Sequence, residues 1–250
     1  MRFFNLKEFE TIKSELKLEY TLSENKGTVP VIVVAAGASS RMEGTNKQMA
    51  EVGGVPVIIK TLQRFENNKN VSNIILVVRD EDLFQIQMLA DKYTITKVTD
   101  IVCGGNSRQE SVLKGFARLP ENAERVLIHD GARPFVSDAV IDGVIAGLEQ
   151  YSAVTCGVKV KDTIKRVSKA GIAEETLNRE SLMAVQTPQG VRVKEYLKAV
   201  ESLEVATFTD DTSIMEAAGH KVLITEGDYK NIKITTKEDL LLANALEDEE

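Results

Sequence analysis

Short apolar runs alternate along the chain with longer stretches in which apolar residues recur every three or four positions. The runs at 30–36, 71–78, 98–102, 125–129, 153–158 and 221–225 predict buried strands. The stretches at 55–67, 81–92, 108–118 and 137–151 predict helices, the last with Ser137 as its N-cap. Because this alternation is typical of βαβ units, we expect an α/β fold, with a mostly parallel sheet and helices on both faces.

Residues 159–185 interrupt this alternation. Charged side chains surround only sparse apolar positions there, and Gly171 marks a turn. Such a segment is too polar to form core and predicts a projecting hairpin arm. An arm that buries little surface of its own often pairs with a second subunit, so we expect a homodimer joined through it.

The two ends of the chain differ from the middle. Apolar residues at three- or four-residue steps predict an amphipathic helix over 3–22, which either packs on the outside of the domain or binds a partner. The last four residues are all acidic. We therefore divide the chain into a helical extension at 1–28, one domain at 29–246 and an acidic tail at 247–250.

Composition excludes several classes of protein. A length of 250 residues with 43% hydrophobic content suffices for one α/β domain, and a net charge of −7 argues against coating a nucleic acid. Cys103 and Cys156 form no zinc or disulfide pattern. No apolar stretch approaches the roughly 20 residues that span a bilayer, and Lys7 and Glu8 stand where a signal peptide would be apolar. We expect a cytoplasmic protein with neither nucleic-acid nor membrane partners.

The segment 35–48 carries the strongest chemical signal. Small residues end the first strand, where backbone can approach a ligand closely, and the cations Arg41 and Lys47 follow. Fixed positive charge beside exposed N–H groups suits a polyphosphate. The segment matches neither a Walker A loop nor a dinucleotide fingerprint. The simpler alternative is an ordinary βα turn with surface cations.

Two more strand ends carry polar residues. Gly104 and Gly105 permit close backbone approach, Asn106 offers an amide for a base edge, and Arg108 begins a helix whose N-terminus favours anions. Asp130 ends another strand, where it suits a sugar hydroxyl or Mg²⁺. The simpler alternatives are an exposed glycine turn and an Asp–Arg salt bridge.

Eight segments, in this order, resemble one family, the 2-C-methyl-D-erythritol 4-phosphate cytidylyltransferases. They are Val-Val-Ala-Ala-Gly-x-Ser-Ser-Arg-Met (33–42), Asn-Lys-Gln (46–48), Gly-Gly-x-x-Arg-x-x-Ser (104–111), His-Asp-Gly-Ala-Arg-Pro (129–134), Asp-Thr-Ile-Lys (162–165), Gln-Thr-Pro-Gln (186–189), Thr-Asp-Asp (209–211) and Asn-Ile-Lys-Ile-Thr (231–235). The resemblance implies a Rossmann-like nucleotidyltransferase fold with a dimerisation arm. It also implies transfer of CMP from CTP to methylerythritol phosphate, with Mg²⁺ as cofactor, by a homodimer.

The resemblance also assigns roles to individual residues. The implied catalytic residues are Arg41, Lys47, Arg179 and Lys233. Those implied for CTP are Ala35, Ala36, Gly37, Gly104, Gly105, Asn106, Arg108 and Ser111. Those implied for the acceptor are Asp130, Arg133, Thr163 and Thr187, with Asp130 also a weak metal candidate.

Two other functions stay open at this stage. A ribitol 5-phosphate cytidylyltransferase would look similar in the CTP-binding segments and differ around the acceptor. A non-catalytic nucleotide sensor would keep the fold and use the extra N-terminal helix as a partner surface. The chain also departs from the family pattern, since Asn106 stands where an acidic residue is frequent and the 41–47 loop is one residue shorter than in some members.

Overall fold

A computed structural model describes residues 27–37, 46–203 and 208–248. The predicted helix at 3–22 and the predicted catalytic Arg41 lie outside these ranges. Within them, every helix is too short or too polar to span a bilayer.

Seven strands form the central sheet. They are β1 Val29–Val34, β4 Val71–Val78, β5 Val98–Cys103, β6 Arg125–Asp130, β7 Ala153–Lys159, β10 Met183–Arg192 and β11 Val222–Glu226. Their order across the sheet is β11-β7-β10-β6-β1-β4-β5. All pairings are parallel except those of β10, which runs antiparallel to β6 and β7. The predicted mostly parallel sheet is confirmed.

Seven α-helices accompany the sheet in the described ranges. They are α1 Val57–Asn67, α2 Leu83–Lys92, α3 Arg108–Phe116, α4 Asp138–Gly147, α5 Val193–Ser202, α6 Asp211–Ala217 and α7 Lys237–Glu247. The Ser137 side chain accepts a hydrogen bond from Val140 N, which confirms the predicted cap of α4.

Alternate side chains of the strands supply two cores. On one face, Val31 and Val33 of β1 pack with α1, α2 and α4, whereas Ile32 packs on the other face with α3, α5 and α6. The period-2 alternation of a strand places neighbouring residues on opposite faces. Both faces are therefore covered, as the βαβ pattern predicts.

The predicted helix at 55–67 begins later than expected. Residues Glu51–Val52 (β2) and Val55–Pro56 (β3) form a small hairpin. The turn between them, Gly53 and Gly54, has φ of 57° and 75°. Glycine enters this left-handed region without steric cost, and two-residue hairpin turns need it. The helix starts only after Pro56.

No sequence pattern indicated β10. Pro188 and Gly190 lie inside it, and these residues argue against a central strand because proline donates no ladder hydrogen bond. The pairing with β7 shifts register between Val185 and Gln189, which lets the chain pass proline and resume its ladder. Helices α5, α6 and α7 lie after residue 151, where no helix was predicted.

The segment 159–185 forms a hairpin of its own. Strands β8 (Lys165–Val167) and β9 (Ala173–Thr176) pair antiparallel, and all their residues are exposed. Val167 and Ile172 are 57% and 67% exposed. The predicted projecting hairpin is confirmed, and its role in dimerisation stays a prediction.

The predicted acidic tail begins inside α7. Glu247 is the last residue of that helix and forms an ion pair with Lys60 of α1. Glu247 therefore belongs to the folded domain, where its charge has a specific partner.

Candidate active site

One cleft gathers most of the predicted site residues at the C-terminal ends of β1, β5 and β6. Its volume is about 330 Å³. It is lined by Val34, Ala36, Gly37, Lys47, Gln48, Gly105, Asn106, Ser107, Arg108, Ser111, Asp130, Ala132 and Lys233. This edge of an open α/β sheet is where such folds bind ligands.

The first loop forms one wall of the cleft. Ala35 is buried and donates its N–H to Val77 O at 2.7 Å, so it builds the strand end and does not line the cleft. Gly37 is exposed, and Lys47 Nζ lies 3.8 Å from the position that a Cβ on Gly37 would occupy. The lysine charge therefore lies over the glycine at the mouth of the loop.

The turn that carries Lys47 is anchored by a buried carboxylate. Asn46 Oδ1 accepts from Gln48 N at 3.1 Å, and Asn46 Nδ2 donates to Asp82 Oδ1 at 2.9 Å. Arg79 Nε donates to Asp82 Oδ2 at 2.7 Å. Sequence reasoning missed Asp82, because a carboxylate 36 residues from Asn46 gives no local signal.

The glycine loop after β5 is closed by its own hydrogen bonds. Gly104 N donates to Val78 O at 2.7 Å, Gly105 N to Ser111 Oγ at 3.0 Å and Asn106 N to Glu110 Oε2 at 2.7 Å. A Cβ on Gly104 would lie 2.3 Å from Ala36 Cβ, so glycine lets the two loops meet. These backbone donors are already used, and Asn106 Nδ2 also donates to Glu110 Oε2 at 3.3 Å. A ligand in the cleft would meet the side chains of Asn106 and Arg108, which line it.

Arg108 stands between two carboxylates. Its Nη2 lies 2.7 Å from Asp211 Oδ2, and its Nε lies 3.7 Å from Asp130 Oδ1. Burial lowers its pKa, but these two carboxylates outweigh burial and raise the pKa of Arg108 above its usual value. The guanidinium therefore carries a permanent charge at the cleft.

Asp130 is the carboxylate that the cations of the cleft share. Lys233 Nζ lies 2.8 Å from its Oδ2, and Arg133 Nε lies 3.6 Å from the same oxygen. Burial raises the pKa of Asp130, but Lys233, Arg108 and Arg133 outweigh that effect and lower the pKa below its usual range. The role of Asp130 in metal binding stays a prediction, and three cations already surround its oxygens.

A buried hydrogen-bond chain supports Asp130 from behind. Thr187 Oγ1 accepts from Asp130 N at 3.1 Å and lies 3.1 Å from His129 Nδ1, while His129 Nε2 lies 3.2 Å from Arg133 O. One neutral tautomer satisfies all three contacts: Nε2 donates to the carbonyl and Nδ1 accepts from the hydroxyl. Thr187 is 4% exposed and lies behind the cleft lining. Its hydroxyl makes these contacts with β6 and is therefore not available to the acceptor substrate in this arrangement.

The buried imidazole predicts a loss of stability in mild acid. Burial lowers the pKa of His129 from 6.5 to about 3. Between these values the unfolded chain binds a proton that the folded protein excludes, so stability falls as pH drops. We expect a loss of about 1.4 kcal/mol per pH unit below about pH 6. Denaturant unfolding measures this slope, and an equal slope in His129→Gln would contradict the assignment.

The arm carries two predicted residues that do not line this cleft. Thr163 and Arg179 are both exposed, and Arg179 Nη1 donates to Lys161 O at 3.0 Å. Tyr229 fixes the base of the arm, since its hydroxyl donates to Lys159 O at 2.8 Å and its ring lies 3.7 Å from Lys161 Nζ. Neither arm residue therefore lies in the cleft that Lys233 lines.

Residues from three segments of the resemblance, 186–189, 209–211 and 231–235, hold neighbouring elements together. Gln189 Nε2 donates to Asp210 Oδ2 at 2.7 Å, and Gln189 Oε1 accepts from Asp211 N at 2.9 Å, which ties β10 to the start of α6. Asn231 Nδ2 donates to Thr187 O at 2.8 Å, and Arg133 Nη1 donates to Asn231 O at 2.7 Å. These contacts fix the loop that carries Lys233 against β10 and Arg133.

The cleft offers little to a metal held by protein alone. Within the described part of the chain, no three His, Cys, Asp or Glu side chains come together as metal ligands do. Asp130 is the one carboxylate in the lining. Since Mg²⁺ in nucleotide sites is bound by one or two carboxylates together with phosphates and waters, this donor set fits an ion that arrives with a nucleotide.

Comparisons with known proteins point to one family. Its sequence profile, for 2-C-methyl-D-erythritol 4-phosphate cytidylyltransferase (IspD), matches residues 29–248. The enzyme of that name from Clostridium novyi (strain NT) is 45% identical over 224 residues, covering 86% of this chain and 94% of the relative. That from Geobacillus thermodenitrificans (strain NG80-2) is 45% identical over 218 residues, covering 86% and 95%. The crystal structure of 4-diphosphocytidyl-2C-methyl-D-erythritolsynthase from Anaerococcus prevotii DSM 20548 has a TM-score of 0.78 at 33% identity, covering 89% of this chain and 96% of that one.

Proposed function

The chain belongs to the 2-C-methyl-D-erythritol 4-phosphate cytidylyltransferase family, and from this premise we propose how its cleft works. The enzyme transfers CMP from CTP to 2-C-methyl-D-erythritol 4-phosphate. The products are 4-diphosphocytidyl-2-C-methyl-D-erythritol and pyrophosphate, and the reaction belongs to non-mevalonate isoprenoid biosynthesis. The assignment to this cleft rests on one observation: the motifs at the ends of β1, β5 and β6 meet there.

The reaction requires positioning and positive charge more than covalent help. A phosphate oxygen of the acceptor attacks the α-phosphorus of CTP, and the bond from that phosphorus to the bridging oxygen breaks as pyrophosphate leaves. The acceptor phosphate is already an anion at neutral pH, so the step needs no general base. Fixed cations that stabilise the redistributed negative charge provide most of the catalysis in phosphoryl-type transfer.

We assign the triphosphate to the wall formed by the first loop. Lys47, whose ammonium lies over Gly37, stabilises charge on the phosphates together with Arg41. Arg108 supplies a further permanent charge from the start of α3. Gly105, Asn106 and Ser111 line the region assigned to cytosine, where close approach and amide hydrogen bonds suit a base edge.

We assign the acceptor to the side of the cleft near Asp130. Lys233 lines the cleft there and forms an ion pair with that carboxylate. The acceptor phosphate offers Lys233 a competing anion, so acceptor binding exchanges one ion pair for another. Because Thr163 and Arg179 do not line the cleft of their own chain, we propose that each arm projects over the cleft of the other subunit in a homodimer.

Asp130, the single carboxylate of the lining, would hold Mg²⁺ together with the phosphates of CTP, and the ion would supply further positive charge to those phosphates. We also propose a cytoplasmic location, where CTP is available.

Pyrophosphate release tests this function directly. Purified protein with CTP and Mg²⁺ should release pyrophosphate with 2-C-methyl-D-erythritol 4-phosphate and much more slowly with ribitol 5-phosphate. Faster release with ribitol 5-phosphate would establish the other acceptor. CTP binding without any release would indicate a nucleotide sensor.

If Lys233 and Arg179 bind the acceptor, replacing either should impair use of methylerythritol phosphate and leave CTP binding nearly unchanged. Lys233→Gln, and separately Arg179→Gln, should lower kcat/KM for methylerythritol phosphate by about 10- to 100-fold, because each removes a charge that orients the attacking phosphate. Calorimetric titration should find the affinity for CTP nearly unchanged. Weakened CTP binding with normal use of the acceptor would reverse the assignment. The exposed arm residue Lys169 provides a control, since Lys169→Gln removes a charge from a position without an assigned role.

A further inference from the structure

A tyrosine hydroxyl lies buried behind the CTP side of the cleft. Tyr196 of α5 is 0% exposed, and its hydroxyl donates to Asp211 Oδ1 at 2.9 Å. The other oxygen of Asp211, Oδ2, lies 2.7 Å from Arg108 Nη2. A continuous chain of polar contacts thus runs from the core to a guanidinium that lines the cleft.

Asp211 has few other ways to orient its carboxylate. It is 1% exposed, and its backbone N–H already donates to Gln189 Oε1 at 2.9 Å. A buried carboxylate must have hydrogen-bond or ionic partners, because its desolvation is otherwise very costly. Tyr196 donates a hydrogen bond to one oxygen, and Arg108 pairs with the other by charge. Loss of either partner therefore leaves a buried oxygen unsatisfied and frees the carboxylate to rotate.

Asp211 holds Arg108 mainly by electrostatic attraction and not by an aligned hydrogen bond. Asp211 Oδ2 has no donor aligned with it as a hydrogen bond requires, although Nη2 is only 2.7 Å away. The position of the guanidinium therefore depends on where the carboxylate points. Arg108 also has an alternative anion, since Asp130 Oδ1 is 3.7 Å from its Nε.

The two carboxylates thus compete for Arg108. If Asp211 turned away, Arg108 would pair with Asp130, on which Lys233 and Arg133 already converge. The guanidinium would then lie against Asp130 and would be less available to phosphates. The hydroxyl of Tyr196 keeps Asp211 turned toward Arg108 and so opposes this collapse.

The ring of Tyr196 also contacts α3, the helix that Arg108 begins, at its C-terminal end. It stacks on Phe116, with ring centroids 4.8 Å apart and planes at 15°. Phe116 is the last residue of α3 and Arg108 the first. Tyr196 therefore contacts the end of α3 directly and its beginning through Asp211.

We propose that Tyr196 is a positioning residue for CTP, whose hydroxyl holds Asp211 so that Arg108 points its charge into the cleft. The proposal rests on the proposed function, because it takes the ligand of Arg108 to be the triphosphate of CTP. It assigns Tyr196 no contact with substrate.

Tyr196→Phe removes the hydroxyl and keeps the ring. We expect the Kd and the KM for CTP to rise about 5- to 10-fold, as for loss of one hydrogen bond to a charged group, with the KM for methylerythritol phosphate unchanged. Tyr151→Phe is the matched control, since Tyr151 packs against the core on the opposite face of the sheet. Ala199→Gly destabilises the same helix, α5, without touching the hydroxyl.

Coupling to Asp211 separates positioning from mere stability. Asp211→Asn should weaken CTP binding by itself, and adding Tyr196→Phe should then have little further effect, because the hydroxyl acts through the charge of Asp211. Equal and additive effects of the two substitutions would overturn the proposal. The proposal would also be overturned if Tyr196→Phe raised the Kd for CTP no more than Ala199→Gly does. If the unsubstituted protein bound no CTP, the proposed function itself would fail, which is a different outcome from normal CTP binding in Tyr196→Phe.

Discussion

Lys47→Ala should lower turnover by about 100-fold or more, a loss of roughly 3 kcal/mol of transition-state stabilisation, while the affinity for CTP falls much less. The ammonium of Lys47 lies over Gly37 at the mouth of the first loop, where the triphosphate is assigned. Negative charge on the phosphates shifts toward the leaving pyrophosphate as the bond breaks. A fixed cation there stabilises the transition state more than bound CTP.

Steady-state pyrophosphate release gives kcat, and calorimetric titration gives the affinity for CTP. Lys69→Ala is the matched control: it removes the same charge from an exposed residue just before β4, at the opposite edge of the sheet. Arg41→Ala should behave as Lys47→Ala does. Near-normal turnover in Lys47→Ala would remove it from the catalytic set.

The anchoring of Lys47 suggests why this cation is effective. A pre-positioned charge requires no reorganisation during the reaction. Asn46 and Asp82 fix the backbone on both sides of the lysine, and Arg79 fixes Asp82 in turn. The side chain thus starts from a turn held by several hydrogen bonds. Asp82→Ala should therefore lower kcat without contacting any substrate.

The parallel part of the fold could be predicted from the sequence because its signals are local. The strands β1, β4, β5, β6, β7 and β11 are short apolar runs, and their ends coincide with the predicted bounds to within one or two residues. The cleft followed from them, because parallel strands bring their C-terminal ends to one edge of the sheet. Asp130, Arg108 and Lys47 meet there as expected.

The parts that escaped prediction depend on contacts distant in sequence. The strand β10 contains Pro188, which is tolerated only through a register shift that its partner β7 determines. Thr187 carries a motif of the acceptor site, yet its hydroxyl is used by β6, 57 residues away. No local pattern shows that a hydroxyl is already occupied. The site residues implied by the resemblance therefore stay predictions, and at Thr187 the observed contacts are with β6.

For Thr163 and Arg179 in the arm, too, the role implied by the resemblance can be compared with the observed position. Both lie in the segment 159–185, which is exposed along its two strands, and neither lines the cleft of its own chain. Apolar side chains such as Val167 and Ile172 at more than half exposure indicate a surface that gains from burial. In the homodimer that we propose, a second copy of the chain provides this burial, and each arm lies over the cleft of the other subunit.

Two inactive variants should restore activity when mixed. One carries Lys47→Ala, and the other carries Thr163→Ala with Arg179→Gln in the arm. In a heterodimer with exchanged arms, one site receives the intact lysine and the intact arm, whereas the other site lacks both. Random exchange makes half of the dimers mixed, so about a quarter of the activity of the unsubstituted dimer should return.

The control partner carries Lys47→Ala together with both arm substitutions. Mixed with the arm variant, it supplies no intact arm and should restore nothing. Subunit exchange must be followed independently, for example by mass spectrometry of the mixed dimers. Heterodimers that form and stay inactive would show that each arm serves its own subunit, in which case Thr163 and Arg179 would have to reach the cleft by a movement within one chain.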